Sequence, residues 1–370
     1  MNFQTVFINF GSKCNFQCRY CMQRDNIDQE IPSCDNFDAI RNFIADNSGI
    51  DKFMLWGGEP LIYWNTIKQI VPFIREKRSG VNINIITNGS LLTEEKVDFL
   101  NRYRVNVGLS HDGPKTEITR GHDVLKDGRI LSLFLKLKSK GICCVLNALN
   151  QDIFELWDYY DALFDGKVHV NFDILKDFSG DPLIGGFDYE RLDAMFERLT
   201  GGFVEKVRQG ELNAREYLFF EPTLRVLLQR IKNPDTVDYP RCGVMSTVVN
   251  IDLQGNVFLC HNSDIRLGTI AELEDCEGEF KKHIKPLEKC RSCAAYPVCD
   301  AAHCILQTEA EKNRACKFHS IMYHHLFNAL ECLRSEINPE TSRMVFAREK
   351  PPICGQRISL GILFYFMMQR

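Results

Sequence analysis

The feature that most narrows the fold is a regular alternation of strand-like runs with helical patterns over the first half of the chain. "TVFINF", "KFMLWG", "VNINIIT", "VNVGLS", "ICCVLNAL" and "KVHVNFDIL" are rich in β-branched and aromatic residues. Between them stand "DNFDAIRNFIADNS", "NTIKQIVPFIREKRS", "TEEKVDFLNRY", a helical stretch near 124 to 140, and "DIFELWDYYDALF". Repeated strand–helix units with short connections imply a parallel sheet with helices packed outside it. The crossovers are then right-handed. Six units are complete by about residue 175. An open doubly wound sheet and an incomplete barrel both fit, and periodicity alone does not choose. In either, functional loops gather at the carboxyl ends of the strands.

Beyond that half the pattern changes. Residues 187–232 read as helical, and from 242 the chain becomes short strands, turns and cysteines. "STVVNIDLQGNVFLC" reads as a β-hairpin with Gly255 in the turn. The expected division is residues 1–235 as the strand–helix domain, its helical linker starting near 176. Residues 236–335 form a cysteine-rich domain and 336–370 an unassigned tail, where Pro351 and Pro352 break any helix.

Composition serves mainly to exclude. A net charge of −4 with no basic block argues against a nucleic-acid partner. No apolar run reaches the roughly 20 residues of a membrane span; "ISLGILFYFMM" is too short, so no membrane partner is expected. The first residues lack the pattern of a signal peptide, which makes a cytoplasmic location the expectation. Sixteen cysteines in a reducing compartment point to metal rather than to disulfides. Cys34, Cys143, Cys144, Cys276, Cys332 and Cys354 fit no ligand spacing, and most of them are expected to be small buried hydrophobes.

The other ten cysteines fall into two groups. Cys14, Cys18 and Cys21 follow the first strand immediately, on the functional rim. Zinc would need a fourth ligand from elsewhere. A cubane iron–sulfur cluster wants one terminal ligand per iron, so three thiolates leave one iron open for chemistry.

Cys-x3-Cys-x2-Cys after a first strand, with Tyr20 before the third cysteine, resembles the radical S-adenosylmethionine superfamily. "WGGEP" at 56–60, "TNG" at 87–89 and "SHDG" at 110–113 stand at the next three strand ends, as in that family. Asn-Gly and Asp-Gly pairs alone would be ordinary turns. The resemblance implies a partial (β/α)6 TIM-like barrel. It implies that Cys14, Cys18 and Cys21 ligate a catalytic [4Fe-4S] cluster whose open iron chelates S-adenosylmethionine. Reductive cleavage then gives methionine and a 5′-deoxyadenosyl radical. Tyr20 would contact adenine, Gly57 and Gly58 the methionyl amine, and Ser110 and Asp112 the ribose or carboxylate region. Glu59, Pro60 and Asn88 complete the implied cofactor-binding set, Glu59 with a structural part in its turn.

The second group resembles the SPASM domain, the twin-cluster extension of radical enzymes that modify peptides and proteins. Cys242 and Cys260 bracket the hairpin, and "CRSCAAYPVCDAAHC" supplies Cys290, Cys293, Cys299 and Cys304, with Cys316 beyond. The resemblance assigns Cys290, Cys293, Cys299 and Cys316 to an outer auxiliary cluster and Cys242, Cys260 and Cys304 to an inner one. Where the family has its next cysteine stands His303, one residue before Cys304. Ligation by His303 and a one-residue bulge presenting Cys304 are both open, and a zinc ribbon is the alternative for the whole region.

Relatives with this architecture are peptide maturases, which form crosslinks or epimers, and anaerobic sulfatase-maturing enzymes, which form formylglycine. The latter place an Asp base directly after the hairpin's second cysteine, where this chain has His261. Histidine can accept a proton near neutral pH, and a bystander histidine is the equal alternative. The resemblance implies an oxidoreductase acting on a peptide or protein, with peptide maturation favoured over sulfatase maturation. A non-catalytic metal or electron-transfer protein is the reading from another class. An electron donor such as flavodoxin or ferredoxin is implied. Because the first strand begins at residue 5, no peptide-clamp domain fits in front of it. The expectation is therefore a separate recognition protein or direct capture at the barrel mouth.

Overall fold

The structure, a computed structural model, describes residues 3–23, 37–176 and 181–336. Cys34, Cys354 and the tail expected from 336 lie outside the described residues, apart from Glu336 itself. Six strands follow one another as β1 (Thr5–Asn9), β2 (Lys52–Trp56), β3 (Asn82–Thr87), β4 (Val105–Ser110), β5 (Lys140–Leu146) and β6 (His169–Ile174). They lie side by side in chain order, every pair parallel. Helices Asp38–Asp46, Trp64–Lys77, Glu94–Arg102, Gly128–Lys136 and Ile153–Phe164 fill the crossovers. This is a partial barrel of the TIM type.

The two faces of the sheet differ because side chains alternate along a strand. One face carries the in-register rows Val6–Phe53–Ile83 and Ile8–Leu55–Ile85, all fully buried. The other carries Phe7, Trp56, Asn84, Asn106, Ser110, Cys143 and Asp173. Ser110 stands beside Cys143, and Cys143 beside Asn171. A concave face this polar does not close into a dry core, which leaves it for ligands.

Local signals set the helix limits. Asp152 caps Ile153–Phe164 by accepting from the Phe154 and Glu155 amides, and Asp127 caps Gly128–Lys136 through the Arg129 amide. The helix expected over 124 to 140 is accordingly shorter. Val124–Lys126 is a 3₁₀ turn, and Leu137 leaves the helix with ψ 132°, three residues before β5 begins.

Packing divides the chain into two units, Met1–Gly186 with Cys242–His283, and Phe187–Arg241 with Ile284–Arg370. The expected division at 235 is therefore corrected. The hairpin strands β7 (Val248–Asp252) and β8 (Asn256–Phe258), with β9 (Arg266–Thr269), belong to the barrel sheet and not to the cysteine-rich unit. β7 runs parallel to β1, with Asn250 opposite Phe7. Without it, the free edge of β1 would leave backbone donors and acceptors unpaired. Gly255 makes the β7–β8 turn at φ +82°, a region open to glycine at little cost.

In the second unit the helices Tyr189–Arg208 and Glu309–Glu336 pack together, with Arg215–Lys232 beside the first. Cys144 and Cys276 are buried as expected, while Cys332 is exposed, its sulfur meeting the Arg208 guanidinium at 3.6 Å. Among the described residues no helix is long and apolar enough to cross a membrane.

Candidate active site

The loop Cys14–Cys21 leaves β1 and is fastened at both ends by its neighbours. The Gly58 amide donates to the Gly11 carbonyl and the Glu59 amide to the Lys13 carbonyl, both at 2.9 Å. The Lys13 amide donates to the Tyr63 hydroxyl at 3.0 Å. Gly57 and Gly58 are needed for this approach. A Cβ on Gly58 would stand 2.2 Å from the Ser12 carbonyl oxygen, and one on Gly57 2.7 Å from that of Gly11. Farther along, the Arg19 amide donates to the Thr119 carbonyl at 2.9 Å, and the Arg19 guanidinium pairs with Asp181 at 3.0 Å.

Glu59 ties two strand ends together. One oxygen accepts from the Leu61 amide at 2.9 Å and the Thr87 hydroxyl at 2.7 Å; the other accepts from the Asn88 amide at 2.7 Å. Burial pushes its carboxyl above the usual range. Pro60, at the first position of the 3₁₀ turn Pro60–Tyr63, needs no amide partner there. Asn88 donates to the Asn15 side chain at 2.9 Å and accepts from the Ser90 amide, so the "TNG" turn also holds the thiol loop.

Asp112 requires a correction. It was expected to touch S-adenosylmethionine, yet its side chain is fully buried and both oxygens are taken. Arg120 donates to both oxygens at 3.0 Å, Thr119 to one at 2.7 Å and the Val145 amide to the other at 3.0 Å, while the Tyr20 hydroxyl closes the set. Although burial opposes ionisation, Arg120 holds this carboxyl below its ordinary range. The Arg120 guanidinium also lies 5.4 Å from the Tyr20 ring centre. Asp112 and Arg120 therefore position Tyr20 at the thiol loop. The "SHDG" motif named Asp112, but nothing in the pattern marked Arg120 as its partner. Ser110 stays half-buried on the concave face.

His261 lies on that concave face too. Its ring stacks on Phe7 at 4.5 Å and meets Trp56 edge-on at 4.7 Å. Nδ1 is 3.8 Å from the Cys260 sulfur, and Gln23 donates to the backbone carbonyl at 3.2 Å. Burial lowers its pKa to about 4, against Asp173, which favours the cation. The imidazole is uncharged near neutrality, with Nε2 lacking a hydrogen-bond partner among the described residues.

Of the second thiol group, Cys290, Cys293, Cys299, Cys304 and Cys316 lie in the second unit. Burial raises the Cys290 thiol, and the neighbouring Cys316 and Cys293 add to the effect. Burial pushes Cys299 up to about 12, with a further push from Cys290. Cys290 is thus within electrostatic reach of the other three residues assigned to the outer cluster. His303 is buried, and its Nε2 meets the Tyr296 carbonyl at 2.5 Å, so that nitrogen carries the proton and is spent. Cys304 follows a short helix, its amide bonded to the Asp300 carbonyl at 2.8 Å, and is partly exposed. Cys242 and Cys260 belong to the first unit, Cys242 exposed and Cys260 buried.

The residues present fit a cluster at the first loop. Burial raises the Cys14 thiol and takes Cys18 to about 11, and Cys21 raises both further. Three such thiolates repel one another unless a cation accepts them. Among the described residues no three His, Cys, Asp or Glu side chains converge on a single ion. A cubane places each thiolate on a different iron and requires no such convergence.

Residues 8–150 match the Radical SAM superfamily, so this part of the chain carries a domain similar to that family's. That family implies a [4Fe-4S] cluster and S-adenosylmethionine. Among curated relatives, the radical SAM cyclopropyl synthase TigE of Paramaledivibacter caminithermalis is 23% identical over 309 residues, 73% of this chain and 61% of the relative. The chain thus spans less than two thirds of that protein. A GTP 3′,8-cyclase of Peptoclostridium acidaminophilum is 25% identical over 300 residues, 75% of this chain and 87% of the relative. Among solved structures, native anSMEcpe with bound AdoMet and Cp18Cys peptide superposes with a TM-score of 0.69 at 19% identity. That match covers 91% of this chain and 99% of the other. It shows a shared fold.

Proposed function

We propose that this enzyme oxidatively modifies a side chain of a peptide or protein, with Cys14, Cys18 and Cys21 holding the catalytic cluster. The observation that carries the reading is the second thiol group. Cys290 lies within electrostatic reach of Cys293, Cys299 and Cys316, and the sequence spacing of the four resembles that of the SPASM domain. We assign that quartet to an outer auxiliary cluster, and Cys242, Cys260 and Cys304 to an inner one; His303 is not a ligand through Nε2. When bound, the catalytic cluster and S-adenosylmethionine supply a carbon radical able to remove a substrate hydrogen atom.

The chain's own residues do the rest. Gly57 and Gly58 let the thiol loop close onto β2, and Glu59 and Asn88 fix it to β3. Tyr20, held by Asp112 and Arg120, supplies a fixed aromatic face for adenine. In the oxidative outcomes, His261, on the concave face, would take the substrate proton at Nε2, and the electron left on the substrate after its hydrogen atom is removed would pass to an auxiliary cluster. A general base of this kind contributes about 10²–10⁴-fold. Crosslinking or epimerisation of a ribosomal peptide is the favoured outcome, and formylglycine formation on a sulfatase the alternative. A flavodoxin or ferredoxin would deliver the electron.

The test is co-expression with each short reading frame beside the gene, and separately with a sulfatase-derived peptide. A peptide that loses two hydrogens, or that keeps its composition but gains one solvent deuterium at an inverted centre, supports the reading when substrate deuterium appears in 5′-deoxyadenosine. Deuterium transfer only from a nucleotide or other small molecule overturns it.

A further inference from the structure

The concave face holds two polar groups that the fold itself does not use. Asn250 is 2% exposed, and among the described residues neither its side-chain nitrogen nor its oxygen has a hydrogen-bond partner. The buried Trp56 indole nitrogen likewise has none. Leaving a buried amide unpaired is costly, so such a group is kept for a reason. The reason is not packing. β7 places Asn250 opposite Phe7, its neighbours Val249 and Ile251 turning to the apolar face beside Val6 and Ile8. Phe7 in turn stacks on His261, and His261 meets Trp56. Asn250, Trp56 and His261 thus surround one aromatic floor.

We propose that Asn250 and the Trp56 indole form a substrate-recognition site for the main chain of an extended peptide residue, held against His261. This rests on the peptide-modifying reading above and adds how the peptide is gripped. An extended residue presents its own N–H and C=O to one side. A carboxamide accepts from the first with Oδ1 and donates to the second with Nδ2, and the indole N–H donates to a neighbouring carbonyl. Such contacts ignore side-chain identity, which suits an enzyme that must admit the residue to be modified. A guanine ring also carries an adjacent N–H and C=O, and guanosine is therefore the competing ligand in the test below. Asp173 and Lys176 both act on His261, and they pair with each other at 3.6 Å.

The test uses the anaerobically reconstituted protein labelled with 5-fluorotryptophan, which gives three resonances, for Trp56, Trp64 and Trp157. Trp56→Phe assigns the signal. Titration with N-acetylalanine N-methylamide should shift the Trp56 resonance saturably. O-acetyl-lactate N-methylamide, with oxygen in place of the residue's own N–H, should bind at least tenfold more weakly. Asn250→Leu should abolish the difference between the two probes and weaken the first at least tenfold. Its melting temperature should not fall, because an apolar isostere removes a buried group that bonds to nothing in the fold.

An Asn250→Leu variant that binds the amide like the parent overturns the proposal. So does one that melts well below the parent, since Asn250 would then serve the fold. Guanosine displacing the amide probe, or binding where the amide does not, overturns the peptide assignment. Formation of 5′-deoxyadenosine, measured on the same samples, separates this result from the radical reading. Failure to bind amide with cleavage intact defeats only the proposal, while absence of cleavage in the parent defeats the radical reading.

Discussion

Replacing Asp112 with Asn separates a scaffold role from cofactor contact. In the structure its carboxylate takes five hydrogen bonds, two from Arg120 and one each from Tyr20, Thr119 and Val145. Arg120 is only 8% exposed. An Asn side chain must turn its NH₂ toward donors and leaves the guanidinium without a counter-charge. Removing one partner of a buried ion pair costs about 3–5 kcal/mol. For a chain of this size each kcal/mol moves the melting temperature by roughly 2–4 °C, so Asp112→Asn should melt about 6–20 °C lower. Arg120→Leu should cost a similar amount, and the double variant little more than either single one, because the residues act as a unit. The assay is thermal unfolding of the reconstituted protein, with S-adenosylmethionine affinity measured well below the transition. If Asp112 instead contacted the cofactor, affinity would fall more than tenfold while the melting temperature stayed within about a degree. That result would refute the scaffold assignment.

The same pair gives a pH signature. Arg120 depresses the Asp112 carboxyl below its ordinary value of 3.8, against the opposing effect of burial. Its stabilisation is therefore complete above that value and lost as the pH falls through the folded pKa. The stability gap between parent and Asp112→Asn should be constant from about pH 5 to 8 and close only below about pH 4. His261→Ala should lower product formation by about 10²–10⁴-fold and leave abortive S-adenosylmethionine cleavage running; an unchanged product rate would make His261 a bystander. Reconstituted protein should carry about twelve irons, four per cubane, and Cys293→Ala about eight with cleavage retained. An unchanged iron count in that variant would remove Cys293 from the ligand set.

The six strand–helix units and the thiol loop were legible because each rests on local pattern. Alternating apolar residues in β1 to β4 announce strands, and the spacing of Cys14, Cys18 and Cys21 announces a shared cluster. What was misread depends on partners distant in sequence. The hairpin at 246–260 was visible, but nothing local says that β7 lies beside β1, some 240 positions earlier. Sheet membership is decided by which edge stands free, so the domain division fell in the wrong place. Asp112 looked like a ligand contact because its motif ends a strand; Arg120 that neutralises it belongs to a separate short helix. Cys332 stood among cysteines mostly expected to be buried, on composition alone, whereas the face of its helix decides exposure. Asn250 gave no signal at all. Its meaning appears only when register sets it beside Phe7 and the fold offers its amide no partner.

The central claim is that the Cys14–Cys18–Cys21 loop starts the reaction. It is tested most directly by quantifying 5′-deoxyadenosine formed from S-adenosylmethionine under dithionite, in the reconstituted parent and in Cys18→Ala. The parent should form it together with an equal amount of methionine, and Cys18→Ala should form none while keeping the iron of the second thiol group. Equal formation by both proteins, or none by an iron-replete parent, would contradict the claim.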